Sequence, residues 1–113
     1  MSNTYKNASV SINSAGAPGS TTLYTSPSST TSIVNNIVIT NKSSSTNNVN
    51  VILRDSSANS DFYIVNSGEI SGYASISPLK SSLVLEESDS IKINIGSTDS
   101  DGVDFVASIL QVT

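Results

Sequence analysis

The chain has 113 residues and a formal net charge of −4, with 36% hydrophobic and only 12% charged residues, which fits one domain built around one core. It contains no cysteine and no histidine, and this excludes disulfides, zinc sites, cysteine nucleophiles and histidine-based triads. Its five basic residues are scattered and no apolar run approaches the ~20 residues that span a bilayer, so neither nucleic acid nor a membrane is an expected partner.

Residues 1–20 are polar and rich in serine, alanine and glycine. The alternation at Val10 and Ile12 allows a short strand, but the segment has little apolar surface to bury. It also lacks the apolar stretch of a secretion signal. We therefore predict an N-terminal arm at 1–20, flexible or docked on a partner, and a folded domain at 21–113.

From residue 21 onward, short runs rich in valine and isoleucine recur between turn-rich segments, as expected for β-strands. The predicted strands are residues 21–25, 32–40, 48–54, 61–65, 73–77, 82–86, 91–95 and 103–112. No segment has the helical period of apolar residues. The sequence therefore predicts an all-β fold, an antiparallel β-sandwich of about 7–8 short strands with an immunoglobulin-like or jelly-roll topology.

Alternating residues on three of these strands predict the faces that enter the core. The predicted inward sets are Ile33, Ile37 and Ile39; Val49, Val51 and Leu53; and Val103, Phe105, Ala107 and Ile109. The last strand also has apolar residues on its other face, namely Val106, Leu110 and Val112. That strand is therefore either covered on both sides or free to meet a partner with its second face.

The stretch "LVLEESDSIKINI" (83–95) places three carboxylates, Glu86, Glu87 and Asp89, within four positions. Paired carboxylates can act as acid and base in glycoside hydrolysis, but they must flank the sugar from opposite sides. These three share one short loop, and "IKINI" begins a new strand directly afterwards. We interpret the stretch as a corner between two strands, with the acids solvated at the bend.

A second acidic segment, "TDSDGVD" (98–104), contains Asp99, Asp101 and Asp104. Its spacing is similar to part of a calcium loop, in which alternating oxygen ligands wrap the ion, but the later bidentate glutamate is absent. A hairpin turn into the last strand is the simpler interpretation. No metal, cofactor or catalytic residue is therefore predicted, and the chain is not expected to be an enzyme.

The chain has four tyrosines and no tryptophan. Tyrosine is a frequent anchor of protein interfaces when it is exposed, but in a chain with only two phenylalanines the simpler interpretation is that these four lie at the rim of the core. The residues concerned are Tyr5, Tyr24, Tyr63 and Tyr73.

The order of features from residue 24 to the end resembles small virion structural proteins of tailed bacteriophages. In those proteins a "Y-x-x-P" opening precedes an "IV-x-x-I-x-x-x-N" strand, a "V-x-V" strand, an "L-x-x-G/S-D-x-I" corner and a last strand. The matching residues here are Tyr24 and Pro27, Ile33–Asn41, Val49–Leu53, Leu85–Ile91 and Val103–Val112. Position 88 is serine where such corners often carry glycine.

The resemblance implies a β-sandwich displayed on a virion that is assembled in the host cytoplasm. Such proteins decorate and stabilise the capsid shell as cement proteins, in multiple copies or as homo-oligomers in contact with the major capsid protein or other virion proteins. The alternative is a tail, neck or fibre component that contacts the host surface. In that case the loop at 97–102 is the place where calcium or a glycan is expected to bind.

Overall fold

The computed structural model describes residues 2–113, and these contain β-strands joined by turns and loops. The strands are β1 (Asn3–Ile12), β2 (Thr21–Thr25), β3 (Thr31–Asn41), β4 (Asn47–Asp55), β5 (Ser60–Ile70), β6 (Ser75–Ile76), β7 (Leu83–Leu85), β8 (Ser90–Ile95) and β9 (Val103–Val112). No helix in this part of the chain is long and apolar enough to cross a membrane. The predicted all-β class is confirmed.

The strands form two antiparallel sheets that pack face to face. The first sheet has the order β1-β9-β3-β6, and β7 pairs with β3 along the same edge as β6. The second sheet has the order β2-β8-β4-β5. β1 thus pairs with β9, β2 with β8, β3 with both β7 and β6, and β4 with β5. A long hairpin wrapped so that successive pairs alternate between two sheets is a jelly roll.

The core lies between the two sheets and consists mainly of branched aliphatic side chains. The inward set predicted on β9 is fully buried, with exposures of 0–1%. Val49 and Val51 are equally buried, while Leu53 packs at the margin of the same cluster. Among the described residues, every buried side-chain nitrogen or oxygen has a hydrogen-bond partner. The predicted faces of β4 and β9 are therefore confirmed.

The prediction for β3 is wrong at one residue. Ile37 and Ile39 are buried, but Ile33 is only half-buried, and Val34 occupies the core in its place. The register between β3 and β9 shifts between Val34 and Asn36, so the strand contains a bulge there. One extra residue reverses the alternation of side chains along a strand. Ile33 therefore shares the outer face of the first sheet with Val38.

Residues 1–20 were predicted as an arm separate from a domain at 21–113, and the described part, 2–20, lies against that domain. Asn3–Ile12 forms the edge strand β1. The chain then crosses to the second sheet, where the Gly16 N–H donates to the Ile95 carbonyl (3.3 Å). The side-chain amide of Asn94 donates to the Gly16 carbonyl and accepts from the Gly19 N–H, both at 3.2 Å. The use of this segment as a docking arm on a partner stays a prediction.

Candidate interaction surface

Four apolar side chains form a line across the outer face of the first sheet. Tyr5 on β1 lies opposite Leu110 on β9, Leu110 lies opposite Ile33 on β3, and Ile33 lies opposite Val84 on β7. Directly opposite residues in antiparallel strands project to the same face. Tyr5 is 80% exposed and Val84 is 55% exposed, while the two central residues are half-buried. We call Tyr5, Leu110, Ile33 and Val84 the apolar row.

A second, shorter line runs parallel to the apolar row. Val106 on β9 lies between Ser9 on β1 and Val38 on β3, and it is 41% exposed. Val112, at the end of β9, points to the same face by alternation. β9 is a central strand, since it pairs with β1 on one side and β3 on the other. Its second apolar face is nevertheless open to solvent, because the sandwich has only two layers and no part of residues 2–113 covers the outer face of the first sheet.

One ion pair marks the end of this face. The Lys42 ammonium lies 3.0 Å from the Asp104 carboxylate, and it also donates to the Ser11 hydroxyl at 3.3 Å. The hydrogen bond from Ser11, and then the hydrogen bond and charge of Lys42, lower the pKa of Asp104. An apolar centre with a polar, solvated margin is the usual arrangement of a protein interface.

The four tyrosines lie in different environments. Tyr24 is structural, because its hydroxyl bonds the Ser32 hydroxyl and accepts from the Gln111 side-chain amide, both at 2.7 Å. Tyr63 lies on β5, at the edge of the second sheet, and Tyr73 follows that strand in a turn. Tyr5 therefore stands alone among them as a member of the apolar row.

The acidic corner at 86–89 is a hydrogen-bonded junction of three loops. Asp89 is only 5% exposed, so the expectation that all three acids are solvated is wrong for this residue. One carboxylate oxygen accepts from the Ser56 N–H and the other from the Glu86 N–H, both at 3.0 Å. The Ser26 N–H donates to the Asp89 carbonyl at 2.8 Å. Asp89 is buried because it satisfies backbone donors that would otherwise lack partners, and this supports the interpretation of the stretch as a corner.

This junction leads to a prediction about stability. Asp89→Asn should destabilise the domain by about 1–3 kcal/mol, because the amide group would face a backbone N–H that needs an acceptor. Glu86→Gln, at an exposed position of the same corner, should stay within about 0.5 kcal/mol of the wild type. Urea unfolding of the two variants measures the difference. Equal free energies of unfolding would contradict the structural role of Asp89.

Asp99, in the loop at 97–102, and Asp104, just after it on β9, direct their carboxylates to separate partners. One oxygen of Asp99 accepts from the Ser43 hydroxyl at 2.6 Å, and the other accepts from the Asp101 N–H at 3.0 Å. Asp104 instead pairs with Lys42. Within residues 2–113, no group of three or more acidic or other ligand side chains is placed to hold a metal ion. The loop also contains no aromatic residue.

These contacts predict how stability depends on pH. The hydrogen bond from Ser43, followed by that from the Asp101 N–H, lowers the pKa of Asp99 below 3.8. A carboxyl group with a lowered pKa in the folded state stabilises the fold above its unfolded value, and this stabilisation is lost as the pH falls through the folded value. Asp99→Asn should therefore flatten the loss of stability below pH 3.8, and Ser43→Ala should do the same. Denaturant midpoints measured between pH 6 and pH 2 test this, and an unchanged slope in both variants would contradict it.

The chain was compared with family models, curated proteins and solved structures. No family model and no curated protein sequence matches it. A similar chain occurs in the cryo-EM structure of a virus-like particle of the extra small virus (XSV) of the giant freshwater prawn Macrobrachium rosenbergii. The two chains have 14% sequence identity and a TM-score of 0.41, over 100% of this chain and 81% of the other.

Proposed function

We propose that this chain is a non-enzymatic structural protein of a virus particle, and that it decorates and stabilises the capsid shell of a tailed bacteriophage in many copies. The observation that carries this proposal is the exposed apolar row. Apolar side chains that lie next to one another and remain open to solvent mark surfaces that bind protein. Here the row crosses four neighbouring strands, so it spans the width of the first sheet at that position.

The fold supports the proposal without deciding it. Jelly rolls form viral capsid domains, but they also form lectins and cupins. Function must therefore be argued from the surface that the fold presents. The resemblance of residues 24–113 to small virion proteins of tailed bacteriophages points in the same direction as the apolar row.

The chemistry of the side chains also supports a structural role. The chain has no histidine or cysteine, so the commonest general base and the thiol nucleophile are missing. The two best-placed carboxylates, Asp89 and Asp99, are occupied by hydrogen bonds from their own domain. Neither is free to act on a bound molecule.

The mechanism of stabilisation follows from mass action. A protein that binds the assembled shell but not its dissociated subunits shifts the equilibrium toward the shell. On the proposed surface, the apolar row contacts the major capsid protein, and the Lys42–Asp104 pair remains at the solvated margin. Particles of this kind assemble in the host cytoplasm, and the protein is then part of the virion.

The alternative, a tail, neck or fibre component that contacts the host surface, is favoured by a different observation. Phe62 and Tyr63, on the edge strand β5 of the second sheet, are 53% and 48% exposed. Aromatic residues are enriched at binding surfaces. The loop at 97–102, where such a contact was expected, has no aromatic side chain of its own.

The proposal is tested by measuring the protein in particles purified on a density gradient from the cells that produce it. Quantitative mass spectrometry should find the chain at a fixed ratio to the major shell protein in every preparation. A ratio that falls toward zero as purification proceeds would overturn the proposal.

A further inference from the structure

The free edges of the two sheets are not alike. β1 is an edge strand of ten residues, and its pairing with β9 shows no register shift. β5, the other long edge strand, shifts register twice against β4 and has Ser67 at a φ of 52°. β2, β6 and β7 have five, two and three residues. Among the edges in the described residues, β1 is therefore the long and regular one.

The backbone groups of β1 that face away from the sheet can be assigned. Ser2 and Thr113 exchange both of their backbone hydrogen bonds, at 3.1 and 3.0 Å. In an antiparallel ladder such pairs alternate with pairs that exchange none. The even-numbered residues of β1 therefore bond to β9, and the odd-numbered residues direct their N–H and C=O groups outward. The outward residues are Asn3, Tyr5, Asn7, Ser9 and Ser11.

An edge of this kind is a template for another strand. Proteins usually protect such edges with proline, with bulges or with several charged side chains. β1 has no proline and no bulge, and Lys6 is its one charged residue.

We propose that β1 pairs antiparallel with β1 of a second copy of this chain, about a two-fold axis at Asn7. This register uses all the outward residues, because Asn3 faces Ser11 of the second copy, Tyr5 faces Ser9 and Asn7 faces Asn7. A register centred on Lys6 leaves Ser11 unpaired and opposes two lysines directly, which is unfavourable. A register centred on Ala8 leaves Asn3 unpaired. At the proposed register, Lys6 lies opposite the uncharged Ala8 of the second copy.

The apolar surface supports the same register. Tyr5 comes to lie beside Ser9 of the second copy, and Ser9 is followed along that line by Val106 and Val38. The apolar row of one copy thus continues into the second line of the other copy, on both sides of the axis. The first sheets of the two copies become one continuous sheet, and two joined lines cross it, one on each side of the axis, with the polar residues Asn7 and Ser108 between them. The use of this pairing rests on the proposed function, because the joined outer face is the surface that is proposed to bind the shell.

A single cysteine at the axis tests the pairing, since the chain has no cysteine of its own. Opposite residues that exchange hydrogen bonds have Cα atoms about 5.5 Å apart, which is within the range of a disulfide. With oxidised glutathione as the oxidant, Asn7→Cys should form a covalent dimer at least ten times faster than Ser100→Cys, a control in the exposed loop at 97–102. Equal rates would overturn the proposal.

A charge variant tests the same contact without an oxidant. Asn7→Lys places two ammonium groups opposite each other at the axis, and it should raise the dissociation constant of the dimer at least tenfold in sedimentation equilibrium. Ser28→Lys adds the same charge at an exposed position away from β1 and should leave the constant unchanged. A wild-type chain that stays monomeric at millimolar concentration would overturn the pairing. If particles still bound that monomer, the proposed function would stand without it.

In a different arrangement, two copies would exchange their β1 strands, so that β1 of one copy pairs with β9 of the other. A double cysteine variant distinguishes this exchange from edge pairing. Ser9 and Val106 are opposite each other on β1 and β9. In Ser9→Cys/Val106→Cys, edge pairing predicts a disulfide within one chain. A disulfide that joins two chains through these positions would show strand exchange and would overturn the proposal.

Discussion

Ile93→Asp is expected to unfold the domain. Ile93 is fully buried on β8, where it lies opposite Thr21 of β2 on one side and Val51 of β4 on the other. An aspartate there must either bury an unpaired charge or take up a proton, and it also removes apolar surface from the core. The combined cost exceeds about 4 kcal/mol, and natural domains are stable by only about 5–15 kcal/mol. A small sandwich without disulfides has little stability to spare.

The matched control for this variant places the same charge on the outer face. Val84 is an apolar β-branched residue in a strand, as Ile93 is, but it is 55% exposed. Val84→Asp should keep a cooperative thermal transition, whereas Ile93→Asp should show none by circular dichroism. A folded Ile93→Asp variant would contradict the placement of Ile93 in the core.

Val106→Asp is expected to weaken attachment to the particle by about 30-fold or more while the domain stays folded. Val106 lies on the outer face of the first sheet, beside the apolar row, and the proposed interface buries it. A charged side chain at the centre of an apolar contact costs about 2 kcal/mol or more in binding, and every 1.4 kcal/mol changes the dissociation constant about tenfold. Because the side chain is 41% exposed in the free chain, the substitution costs little before binding.

Attachment is measured by adding the purified variant to particles from which the protein has been removed, and then counting bound copies. Tyr73→Asp is the control, because Tyr73 is 75% exposed, lies off the apolar row and has a φ of 60°, which aspartate tolerates. It should bind as well as the wild type. If Val106→Asp also binds normally, the outer face of the first sheet is not the attachment surface.

Much of the fold follows from local pattern. The last strand was predicted at 103–112 and forms at Val103–Val112, because its alternation is unbroken and its turn residues end just before it. The strand predicted at 91–95 begins one residue earlier, at Ser90. In contrast, the strand predicted at 61–65 continues to Ile70. The added residues are mostly polar, so they do not show the alternation of apolar residues that indicates a strand.

The features that the sequence does not reveal depend on long-range partners. The first residues of β1 are polar, and the strand exists because β9, about a hundred residues further along the chain, supplies its backbone hydrogen bonds. The bulge at Asn35 has no local signature, yet it moves Ile33 from the core to the apolar row. From the sequence Asp89 is expected at the surface, but one of its carboxylate oxygens accepts a hydrogen bond from a loop that lies 33 residues earlier. Only Leu110 of the apolar row could be anticipated from the sequence, through the second apolar face of the last strand, because the other members come from strands whose register the sequence leaves open.

Immunogold labelling of purified particles with an antibody to this chain tests the proposed virion role most directly. Label spread over the head is the predicted result, since decoration places many copies on the shell. Label confined to the tail or neck would favour the alternative and direct attention to Phe62 and Tyr63. Particles that carry no label would contradict a virion role altogether.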